Sequence, residues 1–431
     1  MHASALRSSR DEHHFLAPHG CISARTVSRE KIRMDRAKRA EEDLKRSLRS
    51  VRPFLRIVGA WPGPISPPLH SRILNFCLIV ISYLMQLLVL IPGLLHIFTK
   101  EKIREKQLQK FLPHMTSLGQ LFKYTIILCK TSEFREALNK IRDDWLAATD
   151  ENRLIFIAKA KFGYKLVLTT FCILYTSGVS YRTILPLSIG RIVLPNNTTI
   201  RVLPCPSYFV FFDEQVSPYY EIIFVLQILQ GMFMYTILCG TVGTIAVLSL
   251  HICSLLTILM NKMIELTNTS DTSKDVIKQK IFDVVEYQTH IKRFLNQVQN
   301  ITSYLCFIEI VNDTCLVCVI GYRIITEWEN SNATAIMIYL MFQTLCLFVS
   351  FMTCYIGQLV IDASNDVRLT SITLDWYRFP SKEARCLIPI IITSSYPIKL
   401  TICKVQEISL STFTDVLKTS VAYLNMLREV T

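Results

Sequence analysis

Ionisable side chains lie within a long, partly apolar stretch near the end of this 431-residue chain. Residues 405–430 are predicted to form a helix in which Asp415 and Lys418, three positions apart, are close enough to pair. Glu429 lies at the far end, and several copies of it around an axis would form an acidic ring that favours cations. Polar groups in hydrocarbon are costly unless they meet protein or water, so this helix is predicted to line water.

No catalytic pattern accompanies these groups. The sequence contains no G-x-G-x-x-G, P-loop, H-E-x-x-H or G-x-S-x-G motif. Cys315 and Cys318 form a single C-x-x-C without a second pair, which argues against a zinc site. We therefore expect no enzyme activity, no metal and no cofactor. The net charge of +13 comes without a recognisable nucleic-acid-binding module, so no nucleic-acid partner is expected.

Seven segments are predicted to span a membrane as helices, because each is long and mostly apolar. Gln120 and Lys123 make the second segment the least apolar, and Arg182 interrupts the third. A shorter apolar piece at 386–393 is predicted to be a half-helix ahead of the last span. The seven predicted spans are 73–98, 112–130, 164–187, 219–251, 300–325, 334–361 and 405–430.

The predicted fold is therefore an all-α membrane protein with three regions. Residues 1–72 form a basic N-terminal segment, in which 1–33 are expected to be disordered. Residues 73–398 hold six helices and the half-helix, and residues 399–431 hold the last helix. The inner loop at 261–299 is itself predicted to be helical, as a continuation of the spans.

The distribution of Lys and Arg predicts how the chain is oriented. Fifteen of the 47 basic residues precede residue 73, and the loops on the same side hold 16 more, against 9 in the loops on the other side. Since basic loops stay in the cytoplasm, the N-terminus is predicted inside and the C-terminus outside. The sequons at Asn196, Asn197 and Asn332 then fall in outer loops, where we expect glycosylation.

The outer halves of four spans carry aromatic, methionine and aliphatic side chains with a few polar groups. Such walls suit a small, mostly apolar ligand, and the outer loop at 188–218 could cover it as a lid. Plain helix packing is the alternative for each side chain, and Gln227 could instead join helices. The candidate ligand-binding residues are Leu118, Phe122, Tyr175, Val179, Tyr181, Phe224, Gln227, Ile228, Met337, Tyr339 and Phe342.

Three motifs give the chain a family resemblance. They are Gly59-Ala60-Trp61-Pro62 before the first span, Trp376-Tyr377-x-x-Pro380 after the sixth, and a final block. In these the chain resembles the insect odorant receptor family, and the resemblance extends from about residue 35. The family usually has Ala-Gly where this chain has Ile402-Cys403, and Tyr at Val421. The final block contains Pro397, Leu400-Thr401, Lys404, Leu410-Ser411-x-Phe413, Lys418-Thr419-Ser420 and Tyr423.

The resemblance implies a subunit of an odorant-gated, non-selective cation channel in the plasma membrane of sensory dendrites. Family members assemble as tetramers with a co-receptor, bind a small volatile molecule and line one pore with their last helices. The loop between spans four and five is about 38 residues, shorter than in the co-receptor, which implies a ligand-tuning subunit. A gustatory-type or metabotropic seven-span receptor is the alternative. The pore-facing residues implied are Met426, Glu429 and Val430. Thr419 and Ala422 lie on the same predicted helical face and complete the predicted pore-lining set.

Overall fold

The computed structural model describes residue 34 and residues 37–63, 68–100, 104–193, 199–267, 274–329 and 333–430. Residues 37–47 form helix α1. The helices that follow are α2 (Arg52–Ile57), α3 (Leu69–Lys100), α4 (Arg104–Cys129), α5 (Thr131–Ala147), α6 (Asp150–Ile189), α7 (Tyr219–Thr267), α8 (Lys274–Glu329), α9 (Ala333–Ile372), α10 (Ser381–Ser395) and α11 (Leu410–Val430). Two short antiparallel hairpins pair β1 (Arg191–Val193) with β2 (Thr199–Arg201), and β3 (Thr401–Ile402) with β4 (Gln406–Glu407). Residues 1–33, which are predicted to be disordered, lie outside the described residues.

Helix α7 forms the centre of the bundle, and α6, α8 and α9 pack around it. From Met234 to Leu259 its residues are buried almost throughout, as expected of a segment that is hydrophobic around its whole circumference. Helix α3 lies at the edge, and side chains such as Leu74 and Phe76 are more than half exposed. Exposed apolar side chains along a long helix are what a lipid-facing surface requires.

Five of the described helices are long and apolar enough to cross a membrane, judged by length and composition: α3, α6, α7, α8 and α9. The predicted second and seventh spans are also helical, as α4 and α11, but they are less apolar because of their polar side chains. Arg182 does not interrupt the third predicted span. Helix α6 continues through it to Ile189, since the guanidinium is buried and hydrogen-bonded rather than placed in lipid.

The described residues of the segment 261–299 are helical, as predicted, because α7 extends to Thr267 and α8 begins at Lys274. Helix α8 runs without a break from Lys274 to Glu329, and Ile277, Ile281 and Ile291 of its N-terminal half are buried. The predicted half-helix is α10, which is longer than its apolar piece. It packs against α8 and α9, and its Ser394 Oγ lies 2.9 Å from Gln288 Nε2 of α8.

The last helix starts later than predicted. Residues 401–407 form the β3–β4 hairpin, so α11 begins at Leu410 rather than at residue 405. Cys403 and Lys404 turn the chain with φ values of 48° and 63°, in the left-handed region that favours glycine. The hairpin is tied to α8, because Cys403 N donates to Ser303 Oγ (2.7 Å) and Thr401 N donates to Gln299 Oε1 (3.1 Å).

Candidate functional site

Two rings from the predicted ligand-binding set meet between α6 and α9. Tyr181 and Phe342 are both buried and stack with centroids 4.8 Å apart and planes 17° apart. Tyr339, one turn before Phe342, is also buried, and its hydroxyl accepts a hydrogen bond from Arg323 Nη2 at 3.1 Å. These three predicted residues therefore form one aromatic cluster.

A second group of the predicted residues follows the contact between α6 and α7. The Tyr175 hydroxyl lies 2.6 Å from Thr236 Oγ1 and donates to the Met232 carbonyl at 3.2 Å. Val179 is one turn further along α6 and is half-buried. This group is therefore continuous with Tyr181 along α6.

Gln227 of α7 holds the 188–218 loop in place beside this region through hydrogen bonds. Its Oε1 accepts from Cys205 N at 2.9 Å, and its Nε2 donates to Cys205 O at 2.9 Å and to Ser207 Oγ at 3.0 Å. Arg182 Nη1 adds a hydrogen bond to the Gln227 carbonyl at 3.0 Å. Gly231 makes room for Arg182, since a Cβ there would lie 2.6 Å from its Cδ. Gln227 thus joins a helix to the loop, and its side-chain amide is used within the protein.

The remaining predicted residues lie nearer the periphery. Leu118, Phe224 and Ile228 are half-buried. Phe122 and Met337 are 52% and 68% exposed, on the outside of the bundle rather than in its interior. Exposure on this scale places them where lipid or another subunit would contact them, so they do not wall an enclosed cavity of one chain.

A small cavity lies directly beside the aromatic cluster. Its volume is about 40 Å³, enough for a few water molecules and well below the ~300 Å³ of a typical small-molecule site. A ligand therefore requires the helices to move apart. The cavity is lined by Thr116, Gln120, Leu174, Met234, Tyr235, Leu238, Glu309, Asn312, Asp313, Leu316, Phe342, Leu345, Cys346 and Val349.

The cavity has an ionic side that sequence reasoning missed. Lys123 of α4 is fully buried and forms an ion pair with Glu309 of α8. Asp313, one turn further along α8, is also buried, and its Oδ2 has no hydrogen-bond partner among the described residues. The signal was present in the sequence, because Glu309 and Asp313 are four apart inside the fifth predicted span.

The predicted pore-lining face of α11 is exposed at the four positions whose side chains the structure describes. Thr419, Ala422 and Glu429 are exposed, and Met426 is 63% exposed. The helix backbone includes Val430, whose side chain lies outside the described part. Thr412, nearer the start of the same helix, is buried and donates to the Glu407 carbonyl. Asp415 and Lys418 are exposed and form no ion pair in the described part of the chain.

The opposite face of α11 packs against α8 and α9. Val416 is buried, and Ser420 Oγ donates to the Thr314 carbonyl at 3.3 Å. Leu424 lies over Gly321, where an added Cβ would approach it to 3.2 Å. Two consecutive residues of α8 therefore face different partners. Asp313 lines the cavity, and Thr314 contacts α11.

The predicted glycosylation sites Asn196, Asn197 and Asn332 lie outside the described residues. No group of three or more His, Cys, Asp or Glu side chains in the described ranges is arranged to hold a metal ion.

Comparisons with known proteins give a consistent assignment. A family model described as 7tm Odorant receptor matches residues 105–421. Odorant receptor 30a of Drosophila melanogaster is 22% identical over 247 residues, a match that covers 56% of this chain and 63% of that protein. Odorant receptor 10 of Aedes albopictus is 22% identical over 273 residues, covering 59% of this chain and 69% of that protein.

The fold is similar to that of the insect olfactory receptor OR5 from Machilis hrabei. The TM-score is 0.73 at 14% sequence identity, and the match covers 90% of this chain and 99% of that one. The structure of the same receptor in complex with eugenol gives a TM-score of 0.71, with 93% and 100% covered. At this identity the likeness concerns the fold.

Proposed function

This chain belongs to the odorant receptor family, and from that premise we propose that it is the ligand-tuning subunit of an odorant-gated, non-selective cation channel. It would span the plasma membrane of a sensory dendrite seven times, with its N-terminus inside and its C-terminus outside. It would assemble with a co-receptor subunit into a tetramer, with glycans at Asn196, Asn197 or Asn332. The clustering of Lys and Arg in one set of loops supports this orientation.

One observation carries the channel proposal, and it concerns α11. One face of this helix is buried on α8 and α9, while Thr419, Ala422, Met426 and Glu429 are exposed together. These positions follow helical spacing, so they share a face. Four such helices around an axis would present a Met426 ring and a Glu429 ring. An apolar ring can block ions by dewetting, and an acidic ring favours cations.

The ligand site would lie between α4, α6, α7 and α9, at the Tyr181–Phe342 cluster and the adjoining cavity. Mostly aromatic and aliphatic walls favour a small apolar molecule. Machilis hrabei OR5 binds eugenol, a molecule of this kind. Because the cavity is smaller than such a ligand, binding would favour an expanded arrangement of these helices. Helix α8 contacts both the cavity and α11, so it could pass that expansion to the pore.

The test is current recording from cells that express this chain with and without a co-receptor, during a screen of volatile compounds. We expect ligand-evoked cation currents only when both are present. Currents that do not need the co-receptor would mean a homomeric channel. If no tested compound evokes current although the subunits reach the surface together, the channel proposal is wrong.

Orientation is tested separately with an N-terminal epitope tag and with glycan mapping at Asn196 and Asn332. The tag should be reached by antibody only after the cells are permeabilised. Staining of intact cells would overturn the proposed orientation.

A further inference from the structure

An open groove of about 590 Å³ lies between the end of α1, α2 and the first turns of the predicted third span. Its rim carries four cationic side chains, and all four are exposed: Lys45, Arg49, Arg52 and Arg56. Like charges gathered around one concavity repel one another, and their summed field attracts an anion to it.

The acidic residues nearest in sequence do not neutralise this rim. Glu41 pairs with Arg142, and Asp43 pairs with Arg153, which holds α1 against α5 and α6. Within the described part of the chain, none of the four rim cations has a carboxylate within 4 Å. The rim charge is therefore available to a ligand.

The floor of the groove is apolar and belongs to α6. Tyr164 and Leu168 are 38% and 44% exposed, and Phe171 packs against Phe54 with ring centroids 5.4 Å apart. Cations above an apolar strip match a ligand that has a charged head and a hydrocarbon tail. An ordinary solvated charged surface would not explain why apolar side chains are exposed beneath these cations.

The position in the chain points to the membrane surface. Tyr164 is the first residue of the predicted third span, so the rim lies where that span meets its headgroup layer. In the proposed orientation this is the cytoplasmic leaflet, where anionic lipids concentrate.

We propose that this groove binds a multiply phosphorylated inositol phospholipid of the inner leaflet. The guanidinium groups of Arg49, Arg52 and Arg56 contact the phosphates, for which their planar fork geometry is suited. An acyl chain lies along Tyr164, Leu168 and Phe171. A zwitterionic lipid leaves the rim uncompensated, and a singly charged lipid neutralises only part of it.

The experiment measures binding of a fluorescent short-chain phosphatidylinositol bisphosphate to the purified, detergent-solubilised full chain. Arg49→Gln, Arg52→Gln and Arg56→Gln should each weaken binding on the order of fivefold, the equivalent of ~1 kcal/mol per basic residue near an anionic surface. The triple variant should weaken it roughly a hundredfold on the same basis. These side chains are exposed, so the melting temperature should be unchanged, which separates lost binding from lost folding.

The matched control removes the same charge elsewhere. Arg368, Lys382 and Arg385 are exposed on α9 and α10, and their triple Gln variant should keep wild-type affinity. Equal loss in both triple variants would show only non-specific charge attraction and would overturn the site. Inositol trisphosphate, which lacks the tail, should bind more weakly than the lipid. Equal binding of the two would overturn the role of the apolar floor and the lipid assignment with it. The assay needs neither gating nor a co-receptor, so it fails or succeeds independently of the proposed channel function.

Discussion

Lys123 and Glu309, 186 positions apart in the sequence, form a buried ion pair that joins α4 to α8. The side chain of Lys123 is fully enclosed, and that of Glu309 is 5% exposed. The pair borders the cavity and lies one turn from Asp313, next to the α8 residue that contacts α11. Helix α8 therefore contacts both the proposed ligand site and the proposed pore helix, α11. The ion pair fixes the position of α8 relative to α4.

Removing one partner of this pair should destabilise the protein strongly. We expect Lys123→Met to lower the free energy of unfolding by about 3–5 kcal/mol, because it leaves the Glu309 charge buried and unpaired. The double variant Lys123→Met/Glu309→Met should recover most of that loss, since neither member of the pair then remains without the other. Thermal unfolding of the solubilised protein measures both. A double variant no more stable than the single one would contradict the pairing.

Phe342 and Met337 are both predicted to bind ligand, but the structure places them in different environments. Phe342 stacks on Tyr181 and lines the cavity, whereas Met337 lies on the outside of the bundle. We expect Phe342→Ala to raise the half-maximal odorant concentration roughly 2- to 13-fold, the equivalent of ~0.5–1.5 kcal/mol for an aromatic contact. Met337→Ala should leave it unchanged. Dose–response curves in co-expressing cells provide the measurement, and an equal shift in both variants would place the site at the outer surface.

Helical structure could be read from the sequence because apolar length and periodicity act locally. The N-terminal extension of α8 followed from the spacing of Ile277, Ile281 and Ile291 in the same way. The Lys123–Glu309 ion pair could not be predicted from such local patterns. Gln120 and Lys123 only marked a weak span, and the partner of Lys123 depends on which helices become neighbours. The exposure of Met337 and the burial of Thr412 likewise depend on packing between elements that the sequence does not order in space.

The sequence places the start of α11 too early, because it does not reveal the hairpin turn that precedes the helix. The turn contains Cys403, a residue type that rarely occupies such a position. Cys403 adopts φ 48°, in the left-handed region that glycine adopts most readily. We expect Cys403→Gly to raise the free energy of unfolding by up to ~1 kcal/mol, since the left-handed conformation costs a side-chain-bearing residue about 1–2 kcal/mol. Cys386→Gly is the opposite control, because position 386 lies inside α10 and glycine weakens a helix. Melting temperatures should move in opposite directions for the two variants.

Asp144 of α5 lies between two histidines, His251 and His290. Its Oδ2 is 2.8 Å from His251 Nε2, and its Oδ1 is 2.9 Å from His290 Nε2. The hydrogen bond to Asp144 raises the pKa of His290 above 6.5, against the burial that lowers it. Burial raises the pKa of Asp144, but its hydrogen bonds to His251 and His290 outweigh this and hold that pKa below 3.8.

This arrangement predicts a pH-dependent stability. A raised folded-state pKa means that the contribution of protonated His290 is fully present below pH 6.5 and is lost as pH rises through the raised value. The Asp144 contribution is present above pH 3.8 and does not change in this window. We expect the melting temperature to fall modestly between about pH 6 and pH 8, since His290 is partly exposed. His290→Gln should reduce that slope, and the exposed His70→Gln should not. An unchanged slope in His290→Gln would contradict the assignment.

Met426 tests the proposed pore face most directly. Its side chain is 63% exposed on the face shared with Thr419, Ala422 and Glu429. If Met426 forms an apolar constriction, Met426→Ala widens and wets it, so basal current or single-channel conductance should rise in co-expressing cells. Val421→Ala is the matched control, because Val421 is 55% exposed on the same helix but about 140° around it from Met426. In a mixed tetramer this chain supplies only part of the ring, so the change should be graded rather than complete. A larger effect from Val421→Ala than from Met426→Ala would mean that a different face of α11 lines the pore.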